Sequence, residues 1–333
     1  MTCYKQLAAP VKINGVLIKN RIVVPPMADF GMTEQDGYIN ERHLRHYGAL
    51  SEGGAGLIII EACAVSKMKE PRNTIGLYDD KFIPGLEKLA YKAGKKEAAV
   101  LVQLLNSGLD IMSADRISDI SRNDFLQYKA DFISAAIRCK KAGFDGVELH
   151  AAHGFYLNQV METSMRNDEY GGPLGNRLRL LQELIEEIKS KCGEKFLVAV
   201  RFGNRNLQEL VYIAKVIENT GGDILDISTG MFTYGNSPAD FPYDKKIFAA
   251  SLVKQNVGIP VIGVGGIQTG EQAEKILEDG CVDMIAVGRG HLCTPDWAER
   301  VFRGVAVHLC RHCGTCLWYI DGRKCPVVKS RNC

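Results

Sequence analysis

Short runs of β-branched and aliphatic residues alternate along this chain with longer segments whose apolar positions recur every three or four residues. The β-like runs are Ile22–Val24, Gly56–Glu61, Ala98–Leu104, Gly146–His150, Leu197–Arg201, Ile224–Ile227, Val261–Val264 and Met284–Val287. The helical pattern covers Glu41–Glu52, Phe82–Ala93, Phe125–Ala142, Asn176–Lys191, Leu207–Asn219, Lys245–Gln255, Glu271–Glu278 and Pro295–Arg303. Strands that alternate with helices pair in parallel, because each helix carries the chain back to the same end of the sheet. Eight such units in roughly 300 residues predict an α/β fold, a single (β/α)8 TIM barrel. A doubly wound open sheet has fewer units and a glycine fingerprint after its first strand. Here the first run leads into Pro25-Pro26-Met27 instead. The expected division is a barrel over residues 1–305 and a short cysteine-rich extension over 306–333.

A barrel says where its chemistry sits, at the C-terminal ends of the strands. Those ends carry Met27, Glu61-Ala62, Gln103, His150, Arg201, Gly265-Gly266 and Gly288-Arg289. The longest strand-to-helix connection runs from His150 to about Asn176, and loops of that length usually serve function. Glycines at the last two strand ends let backbone N–H groups approach an anion closely, and Arg289 adds a charge-assisted fork. A single such pair only makes a tight turn. Two on consecutive strands, one followed by arginine, point to a phosphate. His150 and His153 stand three residues apart, so both imidazoles reach one side of a helical turn. There they bind a metal or donate two hydrogen bonds to one oxygen, and zinc would want a third ligand that no nearby spacing offers. Arg201 needs a negative partner or an electron-rich ligand if the barrel buries it. Gln103 both donates and accepts, which suits the amide edge of a heterocycle.

Composition narrows the class. Apolar residues are 46% of the 333 and charged residues 24%, so a sizeable core forms. A net charge of +2 opposes nucleic acid or an anionic membrane as the main partner. The longest aliphatic stretch, Leu57–Ile60, is too short to span a bilayer, and residues 1–26 contain no continuous apolar h-region. The expectation is a cytoplasmic protein. Five of eleven cysteines fall after residue 309: Cys310, Cys313, Cys316, Cys325 and Cys333. The gaps Cys310-x2-Cys313-x2-Cys316-x8-Cys325-Pro326 fit four thiolates on a [4Fe–4S] cluster or on zinc, and three cysteines at successive two-residue gaps lean towards the cluster. Cys333 is left out of the ligand set.

These positions together resemble the Old Yellow Enzyme family of FMN-dependent barrels, the NADH:flavin oxidoreductases. The stretches that carry the resemblance are Asn20-Arg21-Ile22…Pro26-Met27, Gly56-Leu57-Ile58-Ile59-Ile60-Glu61, and residues 143–154 with Glu148-Leu149-His150-Ala151-Ala152-His153. They continue in Arg166-Asn167-Asp168-Glu169-Tyr170-Gly171-Gly172, Val200-Arg201, residues 260–267 and Val287-Gly288-Arg289. The resemblance implies that Pro26, Met27, Ala28 and Ala62 line the isoalloxazine and that Gln103 and Arg201 hold its pyrimidine edge. It implies that Gly265, Gly266, Gly288 and Arg289 hold the phosphate, and that His150 and His153 bind the oxygen of a stacked substrate. The implied activity is an ene-reductase passing hydride from reduced FMN to an activated C=C bond, with NAD(P)H or a partner protein as electron donor. The cysteine tail is similar to that of the subgroup containing 2,4-dienoyl-CoA reductase and trimethylamine dehydrogenase, although the last gap is shorter here. Those enzymes continue into a further nucleotide-binding region, so the electron partner of a cluster here is expected to be a separate protein.

Three departures qualify what the resemblance implies. Phe155 occupies the place where the family often has a tyrosine that protonates the alkene, and Tyr156 follows one place later as the remaining candidate. Ala28 replaces a Cys or Thr near the flavin. Asn106-Ser107-Gly108-Leu109 replaces His-x-Gly-Arg in a shortened loop. Two other functions follow from the same residues: a dehydrogenase sending substrate electrons through FMN and the cluster, and a flavin–cluster electron-transfer subunit without a substrate. Barrels that modify tRNA uridines are opposed by the near-neutral charge. Partners are expected to be a small molecule, with an electron-transfer protein and a homo-oligomer left open.

Overall fold

The computed structural model describes residues 4–34, 36–67, 73–106, 117–228 and 237–331. Ser107, Gly108, Leu109 and Cys333 lie outside the described residues. Two strands precede the expected set. β1 (Val11–Ile13) and β2 (Val16–Ile18) form an antiparallel hairpin across Asn14-Gly15, whose φ angles of 45° and 88° suit this dipeptide in a two-residue turn. Eight parallel strands follow: β3 (Ile22–Val24), β4 (Leu57–Ala64), β5 (Ala99–Leu105), β6 (Gly146–Ala151), β7 (Leu197–Phe202), β8 (Ile224–Ile227), β9 (Val261–Val264) and β10 (Met284–Ala286). Each pairs with the next, and β10 closes on β3 with Ile285 opposite Ile22 and Ala286 opposite Val23. The structure is a (β/α)8 barrel, as expected.

Strand β4 runs three residues beyond the expected Glu61. A register shift between Ile60 and Cys63 absorbs Glu61 and Ala62, after which Cys63 and Ala64 pair with Leu104 and Leu105. Such a bulge re-aims side chains where it occurs, here at the barrel mouth. The connection after β6 is less open than expected. It holds two helices, Tyr156–Glu162 and Leu174–Arg177. A further helix, Gly288–Cys293, starts directly after β10. No helix among the described residues is long and apolar enough to cross a membrane.

Alternate side chains of each strand face the lumen. Val23, Leu57, Ile59, Ala99, Leu101, Leu197, Ala199, Ile224, Ile262, Met284 and Ala286 form one buried cluster there, to which the hairpin adds Ile13 and Ile18. Two residues further along the same faces the lining turns polar, with Gln103, Arg201 and Asp226 following Leu101, Ala199 and Ile224, and Glu148 and His150 on β6. All five are buried. The lumen is thus apolar towards the strand starts and ionic towards the mouth.

The segment after residue 304 folds back onto the barrel. Asp29 is buried just after Met27, and Gly322 N donates to its Oδ2 at 2.9 Å while Gly31 N donates to its Oδ1 at 2.9 Å. Phe30 N donates to Tyr319 O at 3.3 Å, and Arg42 lies 3.7 Å from Asp29 and 3.4 Å from Asp321. A Cβ on Gly322 would sit 2.8 Å from Asp29 Oδ2 and 3.0 Å from the Trp318 ring. Gly322→Ala is therefore expected to cost about 1–3 kcal/mol locally and to speed proteolytic cleavage between residues 306 and 331. The barrel should keep its far-ultraviolet circular dichroism. Cleavage at the wild-type rate would show that this dock does not hold the tail.

Candidate active site

A cavity of about 620 Å³ opens at the C-terminal mouth of the barrel. Its walls are Pro25, Met27, His153, Gly154, Arg201, Ser228, Lys246, residues 264–268, Ala286 and residues 288–290, with Cys310, His312, Cys316 and Tyr319 from the tail. The strand ends that the sequence singled out therefore converge at Met27, Arg201, Gly265, Gly266, Gly288 and Arg289. Pro25, not Pro26, is the wall proline. Pro26, Ala28 and Ala62 are half-buried beside the mouth, and Gln103 and His150 are buried behind it.

The glycine turns are shaped for close approach. Gly265 has φ 155° and Gly266 φ 61°, and a Cβ on Gly265 would meet Asp244 Oδ1 at 3.0 Å. A Cβ on Gly288 would meet Met27 Sδ at 3.3 Å. Arg289 is exposed to the cavity and takes part in no ion pair among the described residues. Bare backbone and an unpaired guanidinium at one end of the cavity are the donor set that an anionic phosphate requires.

The His150 and His153 rings meet edge to face, their centroids 5.0 Å apart, and Phe155 packs on His150 at 4.7 Å. His153 occupies the left-handed region at φ 64° and its Nε2 lies 2.9 Å from Ser228 Oγ. Ser228 in turn accepts from Arg201 Nη2 at 3.4 Å. Burial, then the charge of Arg201, pushes His150 down to about 3 and His153 down to about 2. Both imidazoles are neutral at physiological pH, so each ring offers one N–H donor and one acceptor nitrogen. Tyr156 is placed elsewhere. It is buried in the core with its ring 5.4 Å from Tyr128, 6.1 Å from Phe125 and 6.3 Å from Phe132, and it does not wall the cavity. Residues that begin a helix point in successive directions, so Phe155 at the cap faces His150 and Tyr156 turns inward.

The tail cysteines gather at a second, smaller cavity. Cys310, Cys313, Cys316 and Cys325 wall a space of about 30 Å³ together with Cys293 and Arg289. Cys310 and Cys316 also wall the larger cavity. Cys293 ends the helix that Gly288 begins and hydrogen-bonds Cys310 and Cys325. Among the described residues no three His, Cys, Asp or Glu side chains converge tightly enough to chelate one metal ion. Sequence reasoning missed Cys293, which stands alone in the sequence, and Ser228 and Lys246. Ser228 had a signal, since it directly follows strand β8 as Gly265 directly follows β9.

Glu61, at the bulge, is buried, and burial raises its carboxyl to about 8 against the opposing backbone hydrogen bond from Asp29. The Tyr47 hydroxyl donates to it at 3.3 Å. The folded chain thus keeps a proton that the unfolded chain gives up near the ordinary value of 4.5. Its contribution is full below that value and is lost as pH rises to about 8. Glu61→Gln should therefore gain melting temperature relative to wild type on going from pH 5 to pH 8. A constant difference across that range would place the proton elsewhere.

A model of the NADH:flavin oxidoreductase / NADH oxidase family matches residues 6–119 and 112–307. An NADH oxidase of Thermoanaerobacter brockii is 32% identical over 97% of this chain and 54% of its own length, so the chain spans about half of that relative. An NADPH dehydrogenase of Listeria monocytogenes is 32% identical over 88% of this chain and 93% of its own. The old yellow enzyme structure from Trypanosoma cruzi superposes with a TM-score of 0.81 at 20% identity, covering 96% of this chain and 97% of that one.

Proposed function

The chain belongs to the NADH:flavin oxidoreductase / NADH oxidase family, and on that premise we propose that it is an FMN-dependent oxidoreductase of the Old Yellow Enzyme type. It takes reducing equivalents from NADH or NADPH and reduces the activated C=C bond of an enone- or enoate-type acceptor. The observation that carries this is the mouth cavity, whose walls bring the glycine turns and Arg289 together with Arg201, Ser228 and His153. FMN, when bound, supplies a hydride carrier that the protein's own side chains do not have.

Each residue has a part in that reading. Gly265, Gly266, Gly288 and Arg289 hold the phosphate. Pro26, Met27, Ala28 and Ala62 border the ring, while Gln103 and Arg201 hold its polar edge. His153, with His150 behind it, donates hydrogen bonds to the acceptor's carbonyl oxygen, where negative charge grows during reduction. The neutral state of both rings suits that work. Phe155 has no proton to give and the Tyr156 hydroxyl lies in the core, so water entering the open cavity protonates the α-carbon.

Arg289→Ala should cost about 1.5–3 kcal/mol of cofactor affinity, or roughly ten- to hundredfold in the dissociation constant of FMN. Fluorescence titration of the flavin-free protein measures it. FAD in place of FMN, or no flavin binding at all, would end this reading.

A second reading is favoured by one feature, the shared walls Cys310 and Cys316. In it Cys310, Cys313, Cys316 and Cys325 hold a [4Fe–4S] cluster beside FMN, and the enzyme passes substrate electrons onward to a partner protein. Tetrahedral zinc on the same four thiolates is the alternative occupant of that site. Anaerobic reconstitution should give about four irons per chain, and Cys325→Ser should lower that number. One zinc per chain and no iron would assign the tail a purely structural metal.

A further inference from the structure

Glu148 and Asp226 lie beneath the cavity and take part in none of the steps above. They share the buried floor of the mouth with Gln103 and Arg201, on the four neighbouring strands β5 to β8. Gln103 Nε2 donates to Glu148 Oε1 at 2.7 Å, and Arg201 Nε stands 3.3 Å from Asp226 Oδ2. Alternate strands of a barrel share an interior layer, and Glu148 of β6 meets Asp226 of β8 within hydrogen-bonding reach.

Charge and hydrogen-bond accounting then conflict with two ionised acids. One guanidinium faces two carboxyls in a dry interior, where like charges side by side repel strongly. Among the described residues no N–H or hydroxyl donor reaches Glu148 Oε2 or either Asp226 oxygen with hydrogen-bond geometry. A proton on Glu148 resolves both, because it gives the two acids a bond to each other and leaves Asp226 as the counter-ion of Arg201. The charged groups acting on Glu148 from neighbouring strands are Asp226 and Arg201, with the neutral His150 and His153 at the mouth.

We propose that Glu148 and Asp226 act as one positioning pair. Glu148 keeps its proton and donates it to Asp226, and the pair fixes Gln103 and Arg201 over an electrically neutral floor that does not repel a ligand gaining negative charge. The identity of that ligand rests on the FMN reading; the protonated pair does not. Burial, with Asp226 next in effect, raises the Glu148 carboxyl above the usual range, in agreement with the geometry.

Infrared spectra of the purified full chain, with and without flavin, test the pair. The wild-type minus Glu148→Gln difference at pH 7 should contain the C=O stretch of an un-ionised carboxyl, shifted in D2O. Asp226→Asn should lose the same band with Glu148 intact, because Glu148 then ionises to pair with Arg201. FMN affinity should fall roughly threefold or more between pH 7 and pH 9 in the wild type, by loss of one proton, and stay level in Glu148→Gln. No band in the first difference, a band surviving in Asp226→Asn, or the same pH dependence in Glu148→Gln would overturn the proposal. A band without any FMN binding would support the pair and sink the cofactor reading instead.

Discussion

Arg201 points into the lumen of the barrel, and a guanidinium there must be answered from inside the barrel. Asp226 answers it because β7 and β8 pair in register, Arg201 opposite Asp226. The same registers set Gln103 opposite Glu148 and His150 opposite Arg201. A one-residue slip in any of these strands would turn a polar side chain towards the outer helices and an aliphatic one into the polar layer. The apolar filling below, from Leu57 to Met284, holds the strands in place, and the ionic layer tells them which register to take.

The second organising element is short. The helix Gly288–Cys293 begins at the glycine beside Met27 and ends at the thiol beneath Cys310 and Cys325. Six residues thus connect the glycine turn of one cavity with the wall of the other. Asp29 closes the loop from the opposite side, two residues after Met27, by binding the backbone of Gly322. The tail is fastened to the segments that shape the mouth, and the two cavities share side chains for that reason.

The barrel was readable because its strands are continuous aliphatic runs buried on both faces, which few other architectures need. Glycine turns, Arg201 and the histidine pair were readable because strand ends are where a barrel exposes polar groups. The hairpin at Asn14-Gly15 carried a turn signal between alternating apolar residues that a search for crossover units passes over. Glu148 and Asp226 look like ordinary polar interruptions in β-like runs. Only the closed layer, which brings the lumen-facing side chains of β6 and β8 together on either side of β7, makes them partners. Tyr156 shows the converse, since adjacency to Phe155 in sequence says nothing of direction once a helix starts there. Cys293 is isolated in sequence and reaches the tail only after the chain has turned back.

Closure of this barrel is remote in sequence. Strand β3 must wait for β10, and the Asp29–Gly322 dock spans 293 positions. Contacts of that separation are slow to form, because a long loop must be ordered before they repay it. On a ribosome, Val23 and Val24 emerge early and have one open edge until Met284–Ala286 has been made. During that interval an aliphatic strand edge is exposed to other chains. The mouth, and with it any cofactor site, comes into being only at the last step of assembly. A ligand that binds the finished mouth then stabilises the closed barrel by mass action.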